Sequence, residues 1–431
     1  VNERSIAILT HGCRVNQYES DAMRRALAPS FELTSGDARV VILNACTVTQ
    51  LADRKARQAA RRIRRRNPST LVVLIGCLAD AVAGGLASFD EADLIAGGAW
   101  KAHIGEVVAA ALAGRRGVLP VPPPTSLDDE RSDGPTGRVR AHLKVQDGCS
   151  LSCAYCRPSQ VRGAARSKSV AAASDEARRL VERGYPEIVL TGINLAQYAS
   201  DDGGLPDLVR AVLRIGGIRR LRLGSINPYG LTDALLAAFA EDERACPHFH
   251  VPLQSGDDRI LHAMRRGYTL SDYKRRIARA RRELPGATFG ADLLVGFPGE
   301  DDEAFERTCR AVLSLRFSNA HIFRYSPRAG TEAAHLPRRV PEPVKRERAA
   351  RLDSVCRTVR SELLDNRIAE TQDVLVEASR NGQWRGYTRD YLHVHFHSES
   401  KIPLGTERAV RITAAAVDHL RGEDAGRDGT G

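Results

Sequence analysis

Three cysteines in "DGCSLSCAYCRPSQ" (residues 147–160) stand at the spacing C-x3-C-x2-C: Cys149, Cys153 and Cys156. Thiolates this close along a chain suggest metal binding. Structural zinc takes four ligands, commonly as two separated pairs. Here there is one tight triplet, and His142, close in sequence, lies on the incoming strand. A [4Fe–4S] centre devoted to electron transfer also takes four thiolates. Three thiolates leave one iron of such a cluster open to an exogenous ligand with an amine and a carboxylate.

A second set is spread out. Cys13, Cys46 and Cys77 recur at intervals of 33 and 31 residues, and each ends a short apolar run: "SIAILTHGC", "ARVVILNAC" and "STLVVLIGC". A helical pattern follows each run. This βαβαβ rhythm predicts a parallel sheet with covering helices. In open parallel sheets, ligands sit beyond the carboxyl ends of the strands. Three cysteines that each end a strand converge on one crevice there, and a shared ligand explains them better than three small buried residues. Cys246, Cys309 and Cys356 are scattered and read as structural.

The elements that must position these residues fall into three regions. The chain has 431 residues, too many for one ordinary core. Residues 1–113 form the α/β domain with the parallel sheet, and the Pro-, Gly- and charge-rich residues 114–137 read as a linker. Residues 138–364 resume the alternation with six strand candidates: "RVRAHLKVQ", "EIVLTG", "RRLRLGSI", "HFHVPL", "ATFGADLLVG" and "NAHIFRYS". Six repeats are short of the eight that close a full barrel, so an open (β/α)6 partial barrel is expected, with its functional face at the carboxyl ends of the strands. Residues 365–420 change to short, closely spaced strands such as "QDVLVEA" and "YLHVHF", which suggests a small all-β barrel. Residues 421–431 read as a disordered tail.

Bulk properties narrow the setting. Hydrophobic content of 42% and charged content of 27% are those of a soluble globular protein. No apolar run approaches the ~20 residues of a membrane span, and "VNERSIAILTHGC" lacks the pattern of a signal peptide. A cytoplasmic address follows, where metal or redox chemistry explains clustered cysteines better than disulfides do. Basic residues number 64 against 53 acidic, a net of +11 that points to a polyanionic partner.

The open iron inferred for the triplet is what radical S-adenosylmethionine (SAM) chemistry needs, and the C-x3-C-x2-C motif with Tyr155 before its last cysteine resembles that superfamily. The resemblance implies electron transfer into the bound sulfonium to give a 5′-deoxyadenosyl radical. It places Tyr155 against the adenine side of SAM. It also implies that "TGIN" (Gly192, Asn194) holds the amino group, "GSINP" (Ser225, Asn227) contacts the ribose, and "VGFPGE" (Gly296) lies beside the adenine. The glycines there would let backbone approach the ligand. Asn227 stands where an acidic residue is frequent, so an amide contact to the ribose is the expectation. After the triplet, Arg162-Gly163 and Arg166-Ser167 are kept without an assigned role.

Further motifs narrow the family. "HGCRVNQYESDAM", "LNACTVTQLADRKARQ", "IGCLAD", "VPLQSGDDRILHAMRRGYT" and "FRYSPRAGT" resemble the radical SAM methylthiotransferases over about residues 4–417. That family ends in a β-rich TRAM domain, the place of "WRGYTRDYLHVHF". The resemblance implies a second [4Fe–4S] cluster on Cys13, Cys46 and Cys77, whose open iron carries the sulfur to be transferred. "CRVNQYES" with "CTVTQLADRKARQ" looks most like the branch acting on N6-threonylcarbamoyladenosine 37 of tRNA. The implied reaction replaces the adenine C2–H by C2–SCH3 and uses two SAM per turnover. The alternatives are methylthiolation of isopentenyl-adenosine in tRNA or of a ribosomal-protein aspartate, and, from another class, a non-catalytic metal-stabilised RNA-binding protein. An unidentified electron donor, a tRNA anticodon-loop substrate and a monomeric state are further expectations.

The tRNA side has local support. From Arg54 to Arg66, "RKARQAARRIRRR" holds eight basic residues and no acidic one. Its alanines and Ile63 fall on one helical face and the bases on the rest. Arg54, Lys55, Arg57, Arg61, Arg62, Arg64 and Arg65 are the candidate backbone contacts, beside the crevice at Cys46.

Overall fold

The computed structural model describes residues 2–123 and 125–426. Strands β1 (Ser5–His11), β2 (Val40–Ala45), β3 (Leu71–Ile75) and β4 (Leu94–Ala96) run parallel in one sheet, with two-residue strands Glu32–Leu33 and Gly117–Val118 at its edges. The apolar runs are continuous because both faces are covered. One face packs Ile6, Ile42 and Val73 on one helical layer, the other Leu43, Val72 and Leu74 on a second. Helices α1 (Arg14–Leu27), α2 (Gln50–Arg66) and α3 (Cys77–Ala83) each start just past a strand end.

The partial barrel has the six expected strands: β5 (Arg140–Lys144), β6 (Glu187–Thr191), β7 (Arg220–Leu223), β8 (His248–His250), β9 (Thr288–Val295) and β10 (Asn319–Arg324). They form two parallel three-stranded runs, joined at single bridges Leu221–Ala245 and Ser225–His250. Strand alternation sends Leu143, Leu190, Leu221, Phe249 and Leu293 to the helix-covered core. It leaves His142, Val189, Arg222, His250, Asp292 and His321 toward the inside. Helix α1 packs on β5.

Five strands close the C-terminal TRAM-like barrel: β11 (Thr371–Arg380), β12 (Gln383–Thr388), β13 (His393–His397), β14 (Glu407–Ala415) and β15 (Leu420–Asp424). Buried Arg220 docks it to the strand bases of the partial barrel, bonding Glu407 at 2.7 Å and the carbonyls of Tyr387 and Asp373.

Two expectations change. Residues 421–424 lie in β15, which pairs with β13 and β14 and closes the barrel, rather than in a disordered tail; residues 427–431 lie outside the described residues. The segment 114–137 is a packed strap rather than a free linker. Its Glu130 carbonyl accepts from Tyr18, its Ser132 amide donates to Glu176, and its Leu127 is buried.

Candidate active site

Two buried asparagines lash the distributed cysteines together. Asn16 donates to the Asn44 side-chain oxygen at 3.1 Å, and the Asn44 amide donates to the Asn16 carbonyl and Ser20. The room for them comes from glycines: a Cβ on Gly12 would lie 2.4 Å from Asn16, and one on Gly76, with φ of +92°, 2.4 Å from Asn44. Cys13 therefore caps α1, Cys46 follows β2, and Cys77 opens α3. Burial pushes the Cys46 thiol up to about 12, and the nearby Cys77 and Cys13 push in the same direction. Burial likewise raises Cys77. Thiols held this way need a cation to ionise. Val48 N–H to Cys46 sulfur (3.4 Å) and Arg162 Nε to Cys77 sulfur (3.0 Å) are positioned to support that charge.

The tight triplet follows β5. Burial pushes Cys156 up to about 11, with Cys153 and Cys149 adding to it. Among the described residues, the ligand atoms drawn within 4.8 Å of one another in a set of three belong to His250, Asp292 and His321. Thiols raised by burial and by one another call for a strongly cationic partner, and an iron–sulfur cluster supplies one.

The strand ends around the triplet are tied to it. Asn194 donates to Tyr229 at 2.6 Å and approaches the Cys149 sulfur at 3.8 Å, while its own Oδ1 is buried with no partner among the described residues. An unmatched acceptor beside the cluster loop fits an ammonium group such as the amine of SAM. Arg266 joins Asn227 (2.5 Å) to the Cys153 sulfur (3.4 Å). Tyr155 meets Phe297 edge-on, and Ser225 bridges to β8. The glycines also make room within the protein. A Cβ on Gly192 would strike Gln146 at 2.8 Å, and one on Gly296 would strike Lys345 at 2.3 Å. Gln146 in turn accepts from the Asn194 amide at 2.8 Å and donates to the Asp147 and Gly148 carbonyls. Gly192 thus makes room for the side chain that sets the cluster loop, and Gly296 for Lys345, which donates to the Tyr325 carbonyl at 3.0 Å.

Between the triads lies a buried charge network that composition did not reveal. Arg162 donates to Cys77, to Glu19 and to Asp147, the last two at 2.8 Å. Lys144 pairs with Glu19, Glu130 and Asp147. Against the opposing effect of burial, Arg162, Lys101 and Lys144 hold the Glu19 carboxyl well below the usual range. Arg328 of the "FRYSPRAGT" loop anchors the opposite side by bonding Thr47 and Asp53. The retained Arg162-Gly163 pair was the one sequence signal for this network.

The structure splits the basic face of α2. Arg57 and Arg61 pair with Glu91, and Arg64 with Asp93. Arg54, Lys55, Arg62 and Arg65 are exposed and have no ion pair among the described residues. His11, next to the Cys13 loop, is depressed by burial and then by Lys55 and Arg62. That places the unpaired charge of α2 beside the crevice.

Residues 143–312 match the radical SAM superfamily, and residues 5–97 match "Uncharacterized protein family UPF0004". The fold is that of solved radical SAM proteins, such as the methyltransferase TsrM from Kitasatospora setae (18% identity, TM-score 0.55, covering 77% of this chain and 75% of that one). The chain is a radical SAM enzyme, a class whose chemistry uses SAM and a [4Fe–4S] cluster. It is 36% identical to the threonylcarbamoyladenosine tRNA methylthiotransferase MtaB of Thermotoga maritima, over 96% of both chains. It is 31% identical to MtaB of Bacillus subtilis, over 97% of this chain and 96% of that one. It is 35% identical to the tRNA-2-methylthio-N(6)-dimethylallyladenosine synthase of Syntrophobacter fumaroxidans, over 97% of this chain and 95% of that one. The chain belongs to the radical SAM tRNA methylthiotransferase family. Among the described residues, no helix is long and apolar enough to cross a membrane.

Proposed function

We propose that this enzyme methylthiolates C2 of N6-threonylcarbamoyladenosine in the anticodon loop of tRNA. The observation that supports the reading is Arg162 bonding both Cys77 of one three-cysteine set and Asp147, two residues before Cys149 of the other, with the unpartnered acceptor of Asn194 beside the second set. Cys149, Cys153 and Cys156 hold the radical SAM cluster, and Cys13, Cys46 and Cys77 hold an auxiliary [4Fe–4S] cluster. When bound, cluster and SAM supply the reducing electron and the radical that acid–base side chains cannot. The chain's own task is placement. Asn194 receives the SAM amine, Arg266 and Asn227 face its ribose side, and Tyr155 and the Gly296 loop flank the adenine. Arg162 neutralises Cys77. The reaction uses two SAM per turnover, one for the methyl group and one for the radical, and draws on a separate electron donor. Arg54, Lys55, Arg62 and Arg65 contact tRNA backbone, and the enzyme works as a cytoplasmic monomer.

The test is mass spectrometry of tRNA nucleosides from cells with and without the gene. Loss of the 2-methylthio form of threonylcarbamoyladenosine is expected. If that nucleoside persists while the methylthio form of dimethylallyladenosine disappears, the substrate assignment is wrong.

A further inference from the structure

Among the described residues, the inside of the partial barrel holds a cation without a counter-charge. Arg14 directly follows Cys13 and is exposed. It lines a cavity of about 370 Å3 with His142 and Val189, and one of about 360 Å3 with His250 and His321. Among the described residues its hydrogen-bond partner is the Tyr391 hydroxyl at 3.3 Å, and no carboxylate pairs with it. Of the other cations lining these cavities, Arg138 donates to Gln17 and Arg360 to the Asp418 carbonyl, while Arg222 and Arg140 are matched by carboxylates. Arg222 is held by Glu187 at 2.9 Å and by the carbonyls of Thr388 and Arg389. Arg140 is held by Glu377.

The carboxylates nearby are already used: Glu377 by Arg140, Asp418 by His419 and Asp292 by two histidines. Asp292 Oδ1 accepts from His250 Nε2 at 3.0 Å and from His321 Nδ1 at 3.3 Å. Although burial opposes it, those two bonds keep the Asp292 carboxyl well below the usual range. The Asn319 amide meets the far nitrogen of His321 at 3.3 Å. Two further histidines register the excess of positive charge. Burial, then Arg14, Arg140 and Arg138, push His142 down to about 3. Burial, then Arg222, His250 and Arg14, push His248 well below its ordinary value. A cavity of this kind favours an anion.

We propose that Arg14 is a specificity-determining residue that receives the carboxylate of the substrate's N6 substituent, with the His250–Asp292–His321–Asn319 chain as the facing polar wall. This rests on the substrate reading above. A threonylcarbamoyl group carries a carboxylate, and a dimethylallyl group carries only hydrocarbon. A guanidinium grips a carboxylate by two parallel hydrogen bonds and gains nothing from an alkenyl chain.

The test compares binding of two tRNA anticodon stem-loops, one bearing threonylcarbamoyladenosine and one dimethylallyladenosine. The protein is reconstituted and supplied with SAM, with no reductant, so that binding is read apart from turnover. Wild type, Arg14→Gln and Arg14→Lys are measured, with iron content as a check on the sites. Arg14→Gln is expected to weaken the threonylcarbamoyl loop roughly 10- to 100-fold and to leave the dimethylallyl loop within about twofold. Arg14→Lys should restore part of the loss. Equal weakening of both loops, or unchanged discrimination, overturns the assignment of Arg14. Wild type that prefers the dimethylallyl loop overturns the substrate reading itself, and the role of Arg14 with it.

Discussion

The two cysteine triads reach similar surroundings by opposite routes. Cys149, Cys153 and Cys156 share one loop after one strand, so local spacing sets their geometry, and distant side chains (Asn194 and Arg266) come to them. Cys13, Cys46 and Cys77 sit on three successive strand ends, so the sheet sets their geometry, and the buried pair Asn16 and Asn44 ties the loops. A loop triad depends on what packs over it. A sheet triad depends on what packs within it.

The sharpest break between them is functional. Cys149→Ala should abolish cleavage of SAM to 5′-deoxyadenosine, while Cys46→Ala should abolish the methylthio product and leave that cleavage in place. Each should lower iron from about eight to about four per chain after anaerobic reconstitution. Loss of SAM cleavage in Cys46→Ala would mean that the triads do not act as separate sites.

Arg162 is where the separation ends, since it touches Cys77 from one triad and Asp147, close before Cys149, from the other. Arg162→Gln leaves Glu19 and Asp147 buried with less compensation, a loss of ~3–5 kcal/mol on the scale of a broken buried pair. Chemical denaturation of the metal-free protein should show it. The sign with pH follows from the carboxyls. Glu19 and Asp147 are held below their ordinary values, so their contribution is present above about pH 4 and fades as pH falls below it. The wild type should therefore lose more stability than the variant on acidification through that window. Equal acid sensitivity would argue that the network is not what holds the domains.

Much of this was legible in the chain because its signals are short-range or periodic. The triplet needs three positions on one loop, and the sheet triad shows itself because strand, cysteine and helix repeat at one βα period. What stayed hidden depends on groups far apart in sequence. Arg57 and Arg61 looked available within "RKARQAARRIRRR", but Glu91 lies 30 and more residues away. That Gly192 and Gly296 also make room for Gln146 and Lys345, 46 and 49 residues away, could not be read from their own motifs. Strand β15 was missed because "LRGED" is polar and carries a glycine, and only barrel closure makes it a strand.

Two asparagines sharpen the comparison at lower amplitude. Asn44 has its hydrogen-bonding groups filled, whereas Asn194 leaves Oδ1 unmet among the described residues. Asn44→Leu strands the Asn16 amide and should cost ~1–3 kcal/mol, with loss of the N-terminal cluster. Asn194→Leu should cost less in stability and instead weaken SAM binding, measured by equilibrium dialysis. Equal stability losses would mean that Asn194 is structural like Asn44.

The smallest effect concerns α2, where one helix carries both kinds of charge. Arg57, Arg61 and Arg64 are committed to Glu91 and Asp93, and Arg54, Lys55 and Arg62 are not. A cation that neutralises a phosphate releases a counterion, so removing one such cation should reduce the slope of log affinity against log salt by ~0.7–0.9. Neutralising Arg54, Lys55 and Arg62 together to glutamine should lower that slope by about two to three with little change in Tm. Neutralising the paired three should do the reverse: a lower Tm and a nearly unchanged slope, because those charges are already balanced within the protein. If the paired set moved the slope as much as the unpaired set, the tRNA would be displacing Glu91 and Asp93 on binding. The division of α2 into a structural and a binding face would then fail.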